Sequence, residues 1–467
     1  MTGNGAARWR YNATKASTSG SWAGKNKNAA NDRRAKAWAR QVKDDLLNAR
    51  GELKLGRRHR PDYLIFVLAV ALAAFGLVII YSISPGLYDG NEQTIRQEMI
   101  KRGLFLITGI TAFIIMSRIP LNLLKKWSPI LFLVALLVCL ALPLLGWANV
   151  PVATCALGAC RWYNLGLFSV QPAEILKLCT VLFMAGYLST RLAGGRLNSK
   201  STIIEVTIVM MVSLAIIVGL QKDMGTGFAL AAIFIFQLIM SGISWKRMAV
   251  VFGMLLALMI VMVIIAPHRI ARILTFAQAG DADSDYHINQ ALIGLGSGGL
   301  TGRGLGQSVQ AFGWLPEAVN DSIFAIIGET LGFVGAVTLI IVFAWLIMRM
   351  FNKTNYLDNM YLRLVVAGVV GWFASHVLLN IMAMTHLIPL TGITLPLVSS
   401  GGTSQVFVMA GLGIVFNISR YTSHRRIAMN DVNESKLAGG TNEDSVRGRW
   451  QRWAHNTDRS SHKQIAG

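Results

Sequence analysis

Apolar segments about as long as a bilayer is thick recur along this chain and largely decide what it can fold into. A helix needs about 20 apolar residues to cross the hydrocarbon core of a membrane, and runs of that order recur between residues 63 and 420. Only 14% of the 467 residues are charged, whereas soluble proteins carry about 25%. The runs lack the alternation of a transmembrane β-strand. The sequence therefore predicts an all-α polytopic membrane protein.

The distribution of basic residues predicts how the helices are oriented. Lysine and arginine cluster in alternate loops between the apolar runs, and the positive-inside rule assigns those loops to the cytoplasm. Both termini are then cytoplasmic, and the longest loop, residues 267–320 between the seventh and eighth spans, is extracytoplasmic. The ten predicted spans cover residues 63–83, 102–118, 129–147, 168–190, 203–220, 226–241, 247–266, 321–349, 361–384 and 403–420.

Two basic tails flank the predicted membrane core of residues 63–420. Residues 1–62 carry a net charge of +10 and residues 421–467 are also basic, within a total of +21. Basic tails favour a cytoplasmic position and contact with anionic membrane lipids. The N-terminal tail is predicted to be partly disordered, with an amphipathic interfacial helix within residues 30–55. Neither tail carries a nucleic-acid-binding motif, so we expect no nucleic acid as partner.

Asp321 opens the eighth apolar run directly after the long outer loop. A carboxylate at the mouth of a membrane helix is costly to bury, which favours a functional role. It is placed to take a proton from a polar substrate held by a lipid tail. The alternative is structural, because Asn320 and Asp321 also make a good helix start.

Other charged residues lie inside or beside the spans. Glu174 and Lys177 are three residues apart on one face of the fourth span, where they either form a structural ion pair or line a substrate cavity. Asp223 sits in a very short outer turn and is a cap or a site residue. Arg269 and Arg272 lie on the side that the positive-inside rule does not favour, which is typical of phosphate binding, unless they are simply solvated.

Two further features concern the outer side of the membrane. Residues 389–404 interrupt the apolar pattern at membrane depth, where irregular backbone is tolerated only against protein or a polar cavity. Cys155 and Cys160 lie in the outer loop between the third and fourth spans. There they are either free thiols or form a small disulfide loop. No set of residues with zinc-ligand spacing is present in the sequence.

Several motifs together resemble the SEDS family (shape, elongation, division and sporulation), which includes FtsW and RodA. Order, spacing and predicted side all agree over the whole core. The matching pieces are Arg161-Trp162, Gln171-Pro-Ala-Glu174-Ile-Leu-Lys177, Asp223-Met-Gly-Thr226, Arg269-Ile-Ala-Arg272, Tyr286 with Gln290, Gly304-Leu-Gly-Gln-Ser308, Leu315-Pro-Glu317-Ala-Val-Asn-Asp321 and Pro389-Leu-Thr-Gly-Ile-Thr-Leu-Pro396 followed by Ser399-Ser-Gly-Gly-Thr403-Ser404.

The resemblance implies a ten-helix SEDS fold and a peptidoglycan glycosyltransferase that polymerises lipid II, the undecaprenyl-pyrophosphate-linked disaccharide peptide. The essential acid of the family falls on Asp321, which would act as general base. Two departures from the family pattern, Lys222 and Ser400, lie near the expected cavity. The substrate-binding residues implied in this way are Arg161, Glu174, Lys177, Asp223, Arg269, Arg272, Gln290, Glu317, Ser399 and Thr403.

The resemblance also bears on partners and on alternatives. It implies a class B penicillin-binding protein as transpeptidase partner. The long, charged tails favour docking to other divisome proteins, and so a place in the cytoplasmic membrane at the septum. Small residues in the last two spans are the expected contacts for a partner helix: Gly368, Gly371, Gly411 and Gly413. A divalent cation, Mg²⁺ or Mn²⁺, is an optional neutraliser of the diphosphate. The alternatives are a lipid II flippase and a RodA-like polymerase of cell elongation.

Overall fold

The computed structural model describes residues 53, 58–148, 150–156, 159–164, 166, 169–264, 270 and 286–422. Within that part of the chain, ten helices are long and apolar enough to span a membrane, which confirms the predicted count. The segment of the expected interfacial helix lies outside the described residues, apart from residue 53. Residues 423–467 of the C-terminal tail also lie outside them. The division into two tails and a core stays a prediction.

Short turns join most neighbouring helices, whereas longer segments precede α4, α9 and α11. Ala215–Leu220 continues α5 as a π-helix. The helices are α1 (Tyr63–Leu87), α2 (Glu92–Met116), α3 (Leu121–Trp147), α4 (Pro172–Ala193), α5 (Lys200–Leu214), α6 (Met224–Ser241), α7 (Trp245–Ile264), the short α8 (Tyr286–Ser297), α9 (Ile323–Lys353), α10 (Met360–Met384) and α11 (Gly402–Ile418).

The second span begins ten residues earlier than predicted. Asn91 caps α2 by accepting a hydrogen bond from the backbone N–H of Thr94 (3.2 Å), and the polar residues that follow continue the helix. The sequence analysis began this span at residue 102 because apolar residues dominate only from there. Arg102 consequently lies well inside α2, about 15 Å along its axis from Glu92 at 1.5 Å per residue.

A small antiparallel sheet, absent from the sequence prediction, precedes α4. It consists of β1 (Ala153–Ala156), β2 (Ala159–Asn164) and β3 (Ser169–Val170) in that order. The fourth span therefore starts at Pro172 rather than at residue 168. Proline fits the first turn of a helix because the amide hydrogen it lacks would have no partner there.

A disulfide joins Cys155 and Cys160 across the turn between β1 and β2, with their Cα atoms 4.0 Å apart. Because the pair lies on the predicted outer face, a membrane-impermeant thiol reagent is expected to label intact cells only after reduction. Cys139 and Cys179 are buried within the spans and should stay unlabelled. Protein carrying serine at both positions is the control. Equal labelling with and without reductant would show that the two thiols are free.

The glycines expected to face a partner helix pack inside this chain instead. A Cβ atom at Gly368 would lie 2.6 Å from Gln237 Nε2, and one at Gly413 would lie 2.5 Å from the Phe113 carbonyl oxygen. Gly371 and Gly411 likewise face neighbouring helices of the core. The prediction that these four glycines contact a partner is therefore wrong, because the close approach they permit is used between α2, α4, α6, α10 and α11.

The eighth span is broken near its outer end. Gly332, in α9, has a φ of 68°, and a Cβ there would lie 2.3 Å from the backbone nitrogen of Gly302. Residues 299–304 pair with the broken segment through backbone bonds, including Arg303 N–H to Glu329 O (2.9 Å) and Phe333 N–H to Gly299 O (2.9 Å). Part of the long loop thus lies against the outer half of α9.

Glu329 fixes the rest of that loop from within α9. Its side chain is fully buried and accepts hydrogen bonds from Ser308 Oγ (2.5 Å), Val309 N–H (2.9 Å) and Gln310 N–H (3.3 Å). Three donors satisfy most of the acceptor capacity of a carboxylate. Residues 308–310 of the loop before Asp321 are therefore held against the first part of α9, which follows Asp321 in the chain.

Candidate active site

Asp321 lies directly before α9, at the predicted outer surface. The N-cap residue of the helix is Ser322, so capping does not account for the Asp321 carboxylate. Asp321 Oδ1 is buried and has no hydrogen-bond partner among the described residues. A Cβ built on Gly392 would lie 4.0 Å from Asp321 Oδ2, which places the carboxylate over the irregular segment before α11.

The backbone around Asp321 is held from two directions. Asn380 Nδ2, on α10, donates to the Asp321 carbonyl oxygen (2.7 Å) and to the Ile393 carbonyl oxygen (2.7 Å). His287 Nε2, on α8, lies 2.7 Å from Ser322 Oγ. One amide side chain thus ties together α9, α10 and the irregular segment, which fixes the position of the carboxylate.

The irregular segment of residues 389–401 forms the next wall of the site. Ser400 donates its backbone N–H to the Val319 carbonyl oxygen (2.9 Å), and its hydroxyl donates to Asn320 Oδ1. Ser399 Oγ accepts from Leu395 N–H (2.8 Å) and so closes a turn of the segment. Thr403 Oγ1 is buried and has no hydrogen-bond partner within the described part of the chain. Ser400, a departure from the family pattern, therefore supports the Asp321 loop directly.

Burial and a neighbouring acid both act on the charge of Asp321. Removal from water is the larger cause and the negative charge of Glu317 the smaller, and together they raise the pKa of Asp321 to about 6. Glu317 itself is exposed and accepts a hydrogen bond from Asn320 Nδ2 (2.6 Å). A carboxylate with a pKa near 6 is ionised at neutral pH and is more basic than an ordinary aspartate, as a general base requires.

The Glu317→Gln substitution is expected to lower the pKa of Asp321, because it removes a like charge but keeps an acceptor for Asn320. Catalysis by a general base is lost as pH falls through its pKa, so the acid limb of the pH–rate profile should move to lower pH. Glycan polymerisation measured between pH 4.5 and 8 tests this. Asp358→Asn, a change of equal charge in another loop, is the control. An unmoved limb would show that Glu317 does not act on the base.

Glu174 and Lys177 form the predicted ion pair inside the core. Lys177 Nζ lies 2.7 Å from Glu174 Oε1, and the two side chains are only 0% and 4% exposed. The ammonium group also lies 3.1 Å from His376 Nε2 and 5.2 Å from the centroid of the Trp372 ring. The cation is therefore paired, hydrogen-bonded and covered by an aromatic face.

His376 links this pair to Asp321 through α10. Asn380, which holds the Asp321 carbonyl, follows His376 by four residues and so lies one turn further along the same helix face. The sequence analysis missed both residues. The available signal was two polar side chains at helical spacing in an otherwise apolar span.

Arg161 and Asp223 are both occupied by protein contacts. Arg161 Nη2 donates to the Lys222 carbonyl oxygen (2.7 Å) and Nε donates to the Gln221 carbonyl oxygen (3.3 Å). Asp223 caps α6 through Thr226 N–H (3.0 Å) and accepts a bond from Gln171 Nε2 (3.0 Å). Lys222, with a φ of 55°, thus sits in a turn that Arg161 stabilises.

The turn at Asp223 reaches the segment beneath Asp321. A Cβ at Gly225 would lie 2.7 Å from Ile393 Cγ1 and 3.2 Å from the Thr391 carbonyl oxygen. Of the predicted site residues, Gln290 is partly buried on α8, and Arg269 and Arg272 lie outside the described residues. The structure therefore brings α8, α9, α10 and the irregular segment together around Asp321, and the turn before α6 packs against that segment.

Comparison with known proteins identifies the family. Residues 62–424 match the FtsW, RodA and SpoVE family, described as cell cycle proteins. The chain belongs to this family. The match covers the whole described helical core, which confirms the resemblance drawn from the motifs.

Individual relatives are similar over most of their length. The chain is 30% identical to stage V sporulation protein E of Bacillus subtilis over 372 residues, which cover 79% of this chain and 99% of that protein. It is 31% identical to the probable peptidoglycan glycosyltransferase FtsW of Idiomarina loihiensis over 363 residues, covering 76% and 86%. These names bear out the predicted enzyme class, a glycosyltransferase of peptidoglycan synthesis.

Solved structures share the fold. The chain matches one from a study of how a peptidoglycan synthase complex coordinates polymerisation and crosslinking, with a TM-score of 0.63 and 21% identity over 78% of this chain and 99% of that one. It also matches the rod shape determining protein RodA of Thermus thermophilus, with a TM-score of 0.56 and 23% identity over 78% and 98%. The predicted SEDS fold is thereby confirmed.

Proposed function

We propose that this protein polymerises lipid II into glycan strands during cell division, with Asp321 as the general base. The observation that carries the proposal is the Asp321 carboxylate itself. It is ionisable near neutrality, has a buried oxygen without a partner, and lies where irregular segments meet at the predicted outer face. Lipid II is consumed on that face, so a polymerase needs its base there.

The bond changes follow from the substrate. Asp321 removes the proton from a sugar hydroxyl of the acceptor, and that oxygen forms a bond to the anomeric carbon of the donor. The bond between this carbon and the diphosphate oxygen breaks, and the lipid diphosphate leaves with the electron pair. General-base assistance of this kind contributes about 10²–10⁴-fold to the rate.

The leaving diphosphate needs positive charge more than it needs a proton. Arg269 and Arg272 remain the proposed loop contributors. The described residues contain no group of three or more His, Cys, Asp or Glu side chains able to hold a metal. Mg²⁺ is commonly bound by one or two carboxylates together with substrate phosphates, and Glu317 would serve in that way, leaving Asp321 free to act as the base. A bound cation would supply charge neutralisation.

The test of this function is polymerisation of lipid II by the purified full chain together with its transpeptidase partner. Formation of glycan strands supports the proposal. The rival function is a flippase, which suits a polar cavity with a buried ion pair equally well. Movement of labelled lipid II across vesicle membranes by the same preparation, without glycan formation, would favour the flippase.

We also propose a role in cell division, a location at the septum and a transpeptidase partner. FtsW proteins among the relatives support division over elongation, and localisation of a fluorescent fusion at the septum tests it. A class B penicillin-binding protein is the proposed partner, alongside other divisome proteins. Residues 57–426 should co-purify with the transpeptidase. Loss of binding on removal of the tails alone would place that interface in the cytoplasm.

A further inference from the structure

The disulfide hairpin formed by β1 and β2 lies against the last turn of α3. A Cβ atom at Gly146 would lie 2.3 Å from Cys160 Sγ and 2.8 Å from Cys155 Sγ, so the two sulfur atoms occupy the space that a side chain there would fill. Tyr163, near the end of β2, donates its hydroxyl to the Val138 carbonyl oxygen of α3 (2.9 Å). The hairpin is thus attached to α3 at both ends of β2.

The disulfide supplies much of what keeps this hairpin closed. β1 and β2 pair over only four positions, with an irregularity in the register just before Cys155. β3 adds two residues to the sheet. A pair of short strands is only marginally stable in water. We therefore expect the position of β2 to depend on the bond between Cys155 and Cys160.

Arg161 extends from this hairpin to the turn before α6. It follows Cys160 directly, and it donates to the carbonyl oxygens of two successive residues of that turn, Gln221 and Lys222. Lys222 has a φ of 55°. Residues other than glycine rarely adopt this conformation and keep it only where surrounding contacts impose it. The turn therefore depends on the guanidinium group that holds it.

Helix α3 provides a second attachment for the same turn. Pro143 lies inside α3 and lacks the amide hydrogen that the Cys139 carbonyl oxygen would accept in an unbroken helix. Gln221 Nε2 donates to that oxygen instead (2.8 Å). Because the hairpin bonds the carbonyl of Val138 and the turn bonds that of Cys139, both are fixed to neighbouring residues of one helix.

The same turn supports the residues that hold Asp321. A Cβ atom at Gly225 would lie 2.7 Å from Ile393 Cγ1, so the start of α6 packs directly against the irregular segment. The Ile393 carbonyl oxygen accepts one of the two hydrogen bonds of Asn380 Nδ2, and the Asp321 carbonyl oxygen accepts the other. Direct contacts therefore lead from Cys160 to the proposed general base.

We propose that the Cys155–Cys160 disulfide controls glycan polymerisation by positioning Arg161, which holds the turn at Lys222 and thereby the support of Asp321. The inference rests on the proposed function, because it names a positioning residue and a redox control for that reaction. Arg161 acts through the backbone that it bonds, whereas Asp321 acts on the substrate.

Reduction opens the hairpin by thiol–disulfide exchange with a dithiol. Cys155 is exposed and Cys160 is 9% exposed, so the reductant reaches the Cys155 sulfur. A thiolate of the reductant bonds to that sulfur, and the disulfide bond breaks with its electron pair on the Cys160 sulfur. The second thiol of the reductant then displaces the Cys155 sulfur. Two electrons and two protons pass to the protein, and the reductant becomes a disulfide.

Activity is tested with the full chain in complex with its transpeptidase partner, before and after treatment with a dithiol. Reduction of the wild type should lower kcat for lipid II with little change in KM, because a shift of about 1 Å in the position of a catalytic group costs up to about 10²-fold. The variant with serine at both Cys155 and Cys160 should have the lower kcat from the outset. It should not respond to the dithiol, which excludes an effect of the reductant on the partner.

Variants of Arg161 test the link between the disulfide and the turn. Arg161→Gln should lower kcat as reduction does, and Arg161→Lys should keep part of the activity because lysine is a donor without the planar fork. Adding Arg161→Gln to the double serine variant should cost little more, since both changes release the same turn. Arg196→Gln, which removes an exposed arginine from the loop before α5, is the control and should polymerise at the wild-type rate.

Two results of these kinetic measurements would overturn the proposal. Additive losses from Arg161→Gln and the double serine variant would show that the disulfide does not act through Arg161. A higher KM at unchanged kcat in Arg161→Gln would make the arginine a substrate ligand instead of a positioning residue.

Amide hydrogen exchange gives a measurement that needs no substrate. Reduction of the wild type and Arg161→Gln should each speed exchange in residues 221–227 and 391–395, and Arg196→Gln should not. In a complex that polymerises, unchanged kcat or unchanged exchange after complete reduction overturns the proposal. If the wild type makes no glycan, the proposed function fails, and exchange alone then decides whether the hairpin positions the site.

Discussion

Asp321→Asn is expected to lower the rate of glycan polymerisation by about 10²–10⁴-fold, the usual contribution of a general base. Asparagine has about the same size as aspartate and keeps one hydrogen-bond-accepting oxygen. Its amide cannot take the proton of the acceptor hydroxyl. The backbone bond from Asn380 to the residue 321 carbonyl does not involve the side chain, so the fold should survive. Polymerisation of lipid II by the complex with the transpeptidase measures the loss.

Two controls limit the interpretation of that result. Asp358→Asn, which removes an exposed acid from a different loop, should polymerise at the wild-type rate. Co-purification with the transpeptidase should be the same for all three proteins. A normal rate for Asp321→Asn would remove the residue from the mechanism.

Breaking the Glu174–Lys177 pair is expected to be the most damaging change to stability. Removing one partner leaves an uncompensated buried charge, which costs about 3–5 kcal/mol. Glu174→Gln leaves the ammonium group with His376 and the Trp372 ring but without a counter-ion, and Lys177→Met leaves the carboxylate without its cation. The double substitution removes both charges and should cost less than the two single changes together.

Thermal or denaturant unfolding of the four proteins in one detergent gives the coupling energy of the pair. A double-mutant cycle isolates that energy because the two residues are in direct contact. The same proteins should also lose polymerisation activity, since His376 and Asn380 share the α10 face that positions Asp321. Additive effects on stability would rule out direct coupling between Glu174 and Lys177.

Much of this architecture could be predicted because single local patterns determine it. Long apolar runs specify the spans, and the spacing of Glu174 and Lys177 places them on one helix face. The site neighbourhood followed from motifs in the outer segments, although the structure shows Arg161, Asp223 and Ser399 mostly bonded within the protein. Their proposed substrate contacts remain untested, as do those of Gln290, Glu317 and Thr403.

Other features depend on contacts between distant segments. The break of α9 at Gly332 exists because residues 299–304 occupy its outer half, which no pattern within the span itself indicates. Arg102 looked like the end of a span because polar residues precede it, yet those residues continue the helix. Asn380 became part of the site only when α10 brought it against Asp321 and Ile393. The local periodicity of a sequence does not predict such contacts between distant segments.

The pH dependence of polymerisation tests the central claim most directly. Steady-state kcat/KM for lipid II should be measured between pH 4.5 and 8 for the wild type and for the residual activity of Asp321→Asn. The wild type should lose activity as pH falls through a midpoint near 6, where the pKa of Asp321 lies, and the variant should lack that limb. The same limb in the variant would show that another group is the base.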